Sequence, residues 1–63
     1  MTDDEMEVLE AQCNAYGGFN CKGMVMELSN WGCSLDEGLL LMERMLGQGM
    51  WAEEAAEGIN CAN

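Results

Sequence analysis

The sequence predicts an all-α chain, a small three- to four-helix bundle with short Gly-containing connections, and three observations predict it. There is no proline, and Thr2, Val8, Val25 and Ile59 are the only β-branched residues, so strands lack the side chains that suit a pleated, half-buried surface. Apolar residues recur at steps of three and four, the period of a helix face. The eight glycines fall mainly at Gly17-Gly18, Gly32, Gly47 with Gly49, and Gly58, and cut the chain into four short pieces.

The first piece opens on Thr2-Asp3-Asp4-Glu5, a capping box in which the Thr2 hydroxyl accepts from the Glu5 N–H while the Glu5 side chain reaches back. Met6, Leu9, Cys13 and Tyr16 then form one stripe, which predicts a helix from Asp3 to about Tyr16. Asn20 is the cap expected for a second helix, whose stripe is Cys21, Met24, Val25, Leu28 and Trp31, weakened by Gly23 and closed by Gly32. Ser34-Leu35-Asp36-Glu37 is a second capping box, with both acids where the helix dipole favours them, and the third helix is expected to reach about Leu46. Leu35, Leu39, Leu40, Leu41, Met42, Met45 and Leu46 cover more than one stripe of it, as befits a central helix or half of an interface. Gly47-Gln48-Gly49 reads as a link, Met50 to Glu57 as a short last helix, and Ile59 to Asn63 as a tail that packs back through Ile59 or frays.

A chain of 63 residues is read as one domain, 1–63, and hides only about 60% of the surface that its unfolded form exposes, so its core is thin. An apolar fraction of 49%, with seven Met, is too high for a disordered tail. Twelve Asp and Glu face two cations, Lys22 and Arg44, for a net charge of -10. Such a surface repels nucleic acid phosphates and anionic lipids, which leaves basic protein surfaces as the natural partners, with no direct nucleic acid and no membrane. No stretch approaches the roughly 20 apolar residues of a membrane span, and Met1 to Glu10 are acidic where a signal peptide is basic and then apolar, so a cytoplasmic setting is expected, a host cytoplasm if the chain is viral.

Cys13, Cys21, Cys33 and Cys61 form an even set without a C-x-x-C knuckle, and there is no His to complete a mixed metal site. In a cytoplasmic setting the expectation is reduced, mostly buried thiols, with two disulfides or a four-thiolate zinc site as the alternatives. No metal or cofactor is expected.

Catalysis is not expected either. With no His, one Lys and no serine in a nucleophile setting, the chain lacks a poised acid, base or nucleophile, and a small bundle has little room for walls that split carboxylate pKa values. No segment alternates acids around a Gly as a calcium loop does. The passage Leu28 to Ser34 has a helix-Gly-helix form, but the helix after it offers leucines and acids where a DNA-reading helix offers Arg, Lys, Asn or Gln. The same passage, with Gly49-Met50-Trp51-Ala52-Glu53-Glu54-Ala55-Ala56-Glu57, resembles the loop and third helix of ubiquitin-associated domains over about half of the chain, with Trp31 and Cys33 where that family carries Met and Phe. That resemblance implies an architecture and no activity.

Charge distribution carries the functional expectation. Asp3, Glu7 and Glu10 lie at i, i+4 and i+7, and neither Lys22 nor Arg44 has an acid three or four residues away. Like charges at this spacing cost roughly 0.2–0.5 kcal/mol per pair. A solvated face that keeps the bundle soluble is the plain account. The sharper one is a negative array for a basic groove, because carboxylates one turn apart repeat every 5 to 6 Å or so, on the scale of a nucleic acid strand. On this reading the chain is a small acidic protein-binding module, an inhibitor that docks on a basic surface of a nucleic-acid-binding effector. In size and charge it resembles phage-type anti-CRISPR and anti-restriction proteins. Asp3, Asp4, Glu7, Glu10, Glu53, Glu54 and Glu57 would supply charge, and Trp31, Met50 and Trp51 an apolar anchor, unless both Trp belong to the core. The alternative is a homodimeric structural or adaptor module that buries Leu40 and Leu41 against a second copy.

Overall fold

Each of the three longer helices starts at a side chain that takes up a free backbone N–H, in a computed structural model that describes residues 1–17 and 20–62. Gly18 of the Gly17-Gly18 pair and Asn63 of the tail lie outside the described residues. Helix α1 spans Asp3–Ala15, α2 Cys21–Asn30 and α3 Leu35–Met42; α3 runs on as a π-helical segment, Glu43–Gly47, before a short α4, Ala52–Ala55, and a 3₁₀ turn, Asn60–Ala62. At α1 the Thr2 N–H donates to Glu5 Oε1 (2.9 Å) and the Glu5 N–H to Thr2 Oγ1 (3.2 Å). Ser34 and Glu37 repeat the box at α3 (2.9 and 3.3 Å), and Asn20 Oδ1 accepts from the Gly23 N–H at α2 (3.1 Å).

The hydrogen bond from the Thr2 N–H holds the Glu5 carboxyl below the usual carboxylate range, against a smaller desolvation effect that raises it. Because the folded value is the depressed one, this contribution is present above the unfolded pKa and is lost as pH falls through the folded one. Acid therefore frays the start of α1.

Gly23 also has a use that its helix propensity hides. A Cβ there would stand 2.8 Å from Asn20 Nδ2 and 3.1 Å from Asn20 Cγ, so a larger residue would make the capping side chain shift from its present place over the first turn of α2.

The core is the set of stripes brought face to face: Leu9 and Cys13 of α1, Cys21, Val25 and Leu28 of α2, Leu41 and Met42 of α3, with Cys33, Ala55 and Ile59. Helix α1 packs on both α2 and α3, which are held mainly through it rather than against each other. Close approach of α1 and α3 depends on Gly38, which is buried and whose Cβ would lie 2.9 Å from Leu9 Cδ1. The radius of gyration is 10.4 Å, close to the roughly 10.6 Å that a packed chain of this length has. Among the described residues no helix is long and apolar enough to cross a membrane.

Three expectations are corrected. The cysteines are not free: Cys13 pairs with Cys21 and Cys33 with Cys61. The first bond ties the last turn of α1 to the first residue of α2, and the second ties the α2–α3 connection to the final 3₁₀ turn. With their sulfurs bonded to each other, these residues offer no thiolate to zinc. The third helix does not stay α-helical to Leu46, because its ladder widens after Met42 and the Gln48 N–H donates to the Glu43 carbonyl (3.0 Å). Helix α4 is shorter than Met50 to Glu57: the Met50 N–H is bound to the Arg44 carbonyl (2.9 Å), Trp51 is extended, and Gly58 at φ 80° turns the chain away.

Arg44 is the tie that sequence patterning misses. Its guanidinium Nη1 donates to the carbonyls of Ala55 (2.9 Å) and Glu57 (2.8 Å), which caps α4 from outside and places a cation at the negative end of that helix. Hydrogen bonds to a charged partner contribute more than neutral ones, so Arg44→Ala is expected to cost about 2 kcal/mol and lower Tm by roughly 10 °C. Hydrogen exchange should speed up in residues 52–61 and not in α1; unchanged protection there would show that α4 stands without the tie.

Candidate functional site

Among the described residues, concave features lie on either side of Met26. The first is a groove of about 630 Å³ between α2 and the α3–π run, lined by Asn20, Gly23, Met24, Met26, Glu27, Leu28, Trp31, Leu41, Met42 and Met45. Its α2 wall is one helix face, since Asn20, Gly23, Met24, Glu27, Leu28 and Trp31 recur at steps of three, one, three, one and three. Leu28, Leu41 and Met42 are buried at its floor, whereas Met26 is 62% exposed and Trp31 47%. It exists because α1 holds α2 and α3 from one side and little joins them on the other.

The second is a shallow depression of about 260 Å³ lined by Asp3, Met6, Glu7, Glu10, Lys22, Val25 and Met26. Here three α1 carboxylates share a surface with one α2 cation. Lys22 is thus the basic side chain among the residues that line this depression. With Arg44 committed to the carbonyls of Ala55 and Glu57, Lys22 is the other basic side chain of the chain.

The sequence-derived candidates fall into separate groups. Asp3, Glu7 and Glu10 line the depression, and Asp4 is exposed on α1 outside it. Trp31 stands at the groove. Glu53 and Glu54 are exposed on α4, Glu57 is exposed just beyond it, and none of these lines either feature. Met50 is half-buried against the core, and Trp51 is 80% exposed, so neither tryptophan is a core residue. Met24, Met26, Glu27, Met42 and Met45 were missed as site residues. The signal available for them was the methionine count itself, because thioether side chains are common where a surface must adapt to a partner.

Chemically the site offers adaptable apolar surface beside carboxylates. Among the described residues no group of three or more His, Cys, Asp or Glu side chains is placed to hold a metal ion. No buried side-chain nitrogen or oxygen lacks a hydrogen-bond partner there. Compared with known proteins, the chain matches no family model, no curated sequence and no solved structure.

Proposed function

We propose that this chain is a small, non-catalytic acidic module that docks on a basic surface of another protein, in the manner of an inhibitor of a nucleic-acid-binding effector such as a phage anti-CRISPR or anti-restriction protein. The observation that carries the reading is a net charge of -10 on a folded body whose candidate acids are mostly exposed, one of its two cations being used internally by α4. Long-range attraction then speeds encounter with a positive surface and makes affinity sensitive to salt. The disulfides bear on the setting. Cytoplasmic glutathione keeps exposed pairs reduced, so docking in a host cytoplasm relies on shielding, and Cys13, Cys21 and Cys33 are buried.

The experiment retains basic proteins on the immobilised chain at low ionic strength, then titrates each purified pair from about 50 to 500 mM salt in the presence and absence of DNA. The reading expects affinity to fall steeply with salt and DNA to compete. An affinity that is flat across that range removes charge-led docking. The alternative, a homodimer through α3, has Leu40 for its contact but not Leu41, which is 1% exposed and belongs to the core. Sedimentation at micromolar concentration separates the two readings.

A further inference from the structure

We propose that the groove between α2 and α3 receives the apolar face of one basic amphipathic helix of a partner protein. This rests on the reading of the chain as an acidic docking module and names the segment it takes. The α2 wall runs from Asn20 to Trp31, about three helical turns or roughly 16 Å, which suits side chains presented at i, i+3 or i+4, and i+7 by an incoming helix. Four methionines, Met24, Met26, Met42 and Met45, line it, and unbranched thioethers repack around whichever apolar residues arrive. Its polar groups are few: Asn20 Oδ1 is engaged in capping α2, which leaves the Asn20 Nδ2 amide, the Glu27 carboxylate and the Trp31 indole.

Charge decides the partner's sign. Glu27 stands on the groove, and past Met26 the surface continues into Asp3, Glu7 and Glu10, three carboxylates against Lys22. A helix seated by its leucines would therefore have its flanking lysines or arginines over acids. An acidic helix would meet repulsion at the same places.

The test uses a Leu/Lys peptide about 18 residues long with Leu at helical spacing, a scrambled isomer of the same composition, and a Leu/Glu counterpart. Binding is followed by methyl NMR of Met24, Met26, Met42 and Met45. The Leu/Lys peptide should bind and shift these methyls, and the scrambled and Leu/Glu peptides should bind at least about tenfold more weakly. Met26→Glu adds a negative charge at an exposed position, so attraction by charge alone would leave binding equal or tighter, whereas the groove predicts about a tenfold loss with the circular dichroism spectrum unchanged. A triple Glu7→Gln, Glu10→Gln, Glu27→Gln variant should weaken binding at low salt and flatten its salt dependence.

The proposal is overturned by equal binding of the scrambled or Leu/Glu peptide, by full binding to Met26→Glu, or by no methyl shift at up to about 1 mM peptide. Broadening of the same methyls with protein concentration alone would assign the groove to a second copy and also overturn it. The docking-module reading fails separately, on a salt-independent affinity for the retained partner.

Discussion

Replacing Cys33 and Cys61 by alanine is expected to lower the stability of the fold by about 3.5 kcal/mol, and replacing Cys13 and Cys21 by about 2.5 kcal/mol, from the loop-closure entropy each bond removes from the unfolded chain. The difference follows from separations of 28 and 8 residues. Domains of this length are stable by roughly 3–9 kcal/mol in all, so loss of the longer closure removes a large share. Local consequences differ too. Without the 33–61 bond, the segment from α4 onward keeps the Arg44 hydrogen bonds and the buried Ala55 and Ile59 to hold it, whereas α1 and α2 still share Leu9, Val25 and Leu28. Urea midpoints for the two double variants give the order directly. A larger loss from the 13–21 pair would contradict this account of the tail.

Leu9→Ala is expected to cost about 3 kcal/mol, because the side chain is fully buried between α1 and α3 and its removal leaves a cavity in a thin core. Gly38→Ala tests the same contact from the other side. Alanine is the better helix former, yet its Cβ would sit 2.9 Å from Leu9 Cδ1 and 3.4 Å from Cδ2, so the fully buried Leu9 would have to shift within the core. The overpacking outweighs the propensity gain, for a net loss of about 1 kcal/mol. In the double variant the new methyl enters the space that leucine vacated, so the combined loss should be smaller than the sum of the two. Strict additivity would mean that α1 and α3 do not meet through this pair.

Helix starts and faces were readable in the sequence because they are local. Thr2 with Glu5, Asn20, and Ser34 with Glu37 each act within three residues, and the stripes of Leu9, Cys13, Val25 and Leu28 needed only the helical period. What failed required knowing which stripes meet. Cys13 and Cys21 sit on core-facing stripes at the adjoining ends of consecutive helices, a placement that favours a bond once the connection is short. The acidic Met1 to Glu10, unlike a secretory signal, pointed instead to reduced thiols. Cys33 and Cys61 carried no such hint, being joined only after α4 and the tail fold back. Arg44 looked like surface because its partners are backbone carbonyls 11 and 13 residues away, invisible to side-chain spacing.

The candidate site divides along the same line. The α1 acids share one surface because Asp3, Glu7 and Glu10 share one helix face, which spacing gives at once. The groove could not be read in this way. Met24 and Leu28 were assigned to the core by their period, and the π-helical widening after Met42 sets where Met45 falls. Trp51 stood out by type alone, and its exposure leaves its part in docking to the partner.

Chemical-shift mapping of the labelled chain against a basic partner retained at low salt tests the central claim most directly. The account predicts that perturbed signals run from Asp3, Glu7 and Glu10 across Met26 into Glu27, Met42 and Met45, and that salt reverses them. Perturbations confined to Leu40 and its neighbours on α3, or unaffected by salt, would contradict it.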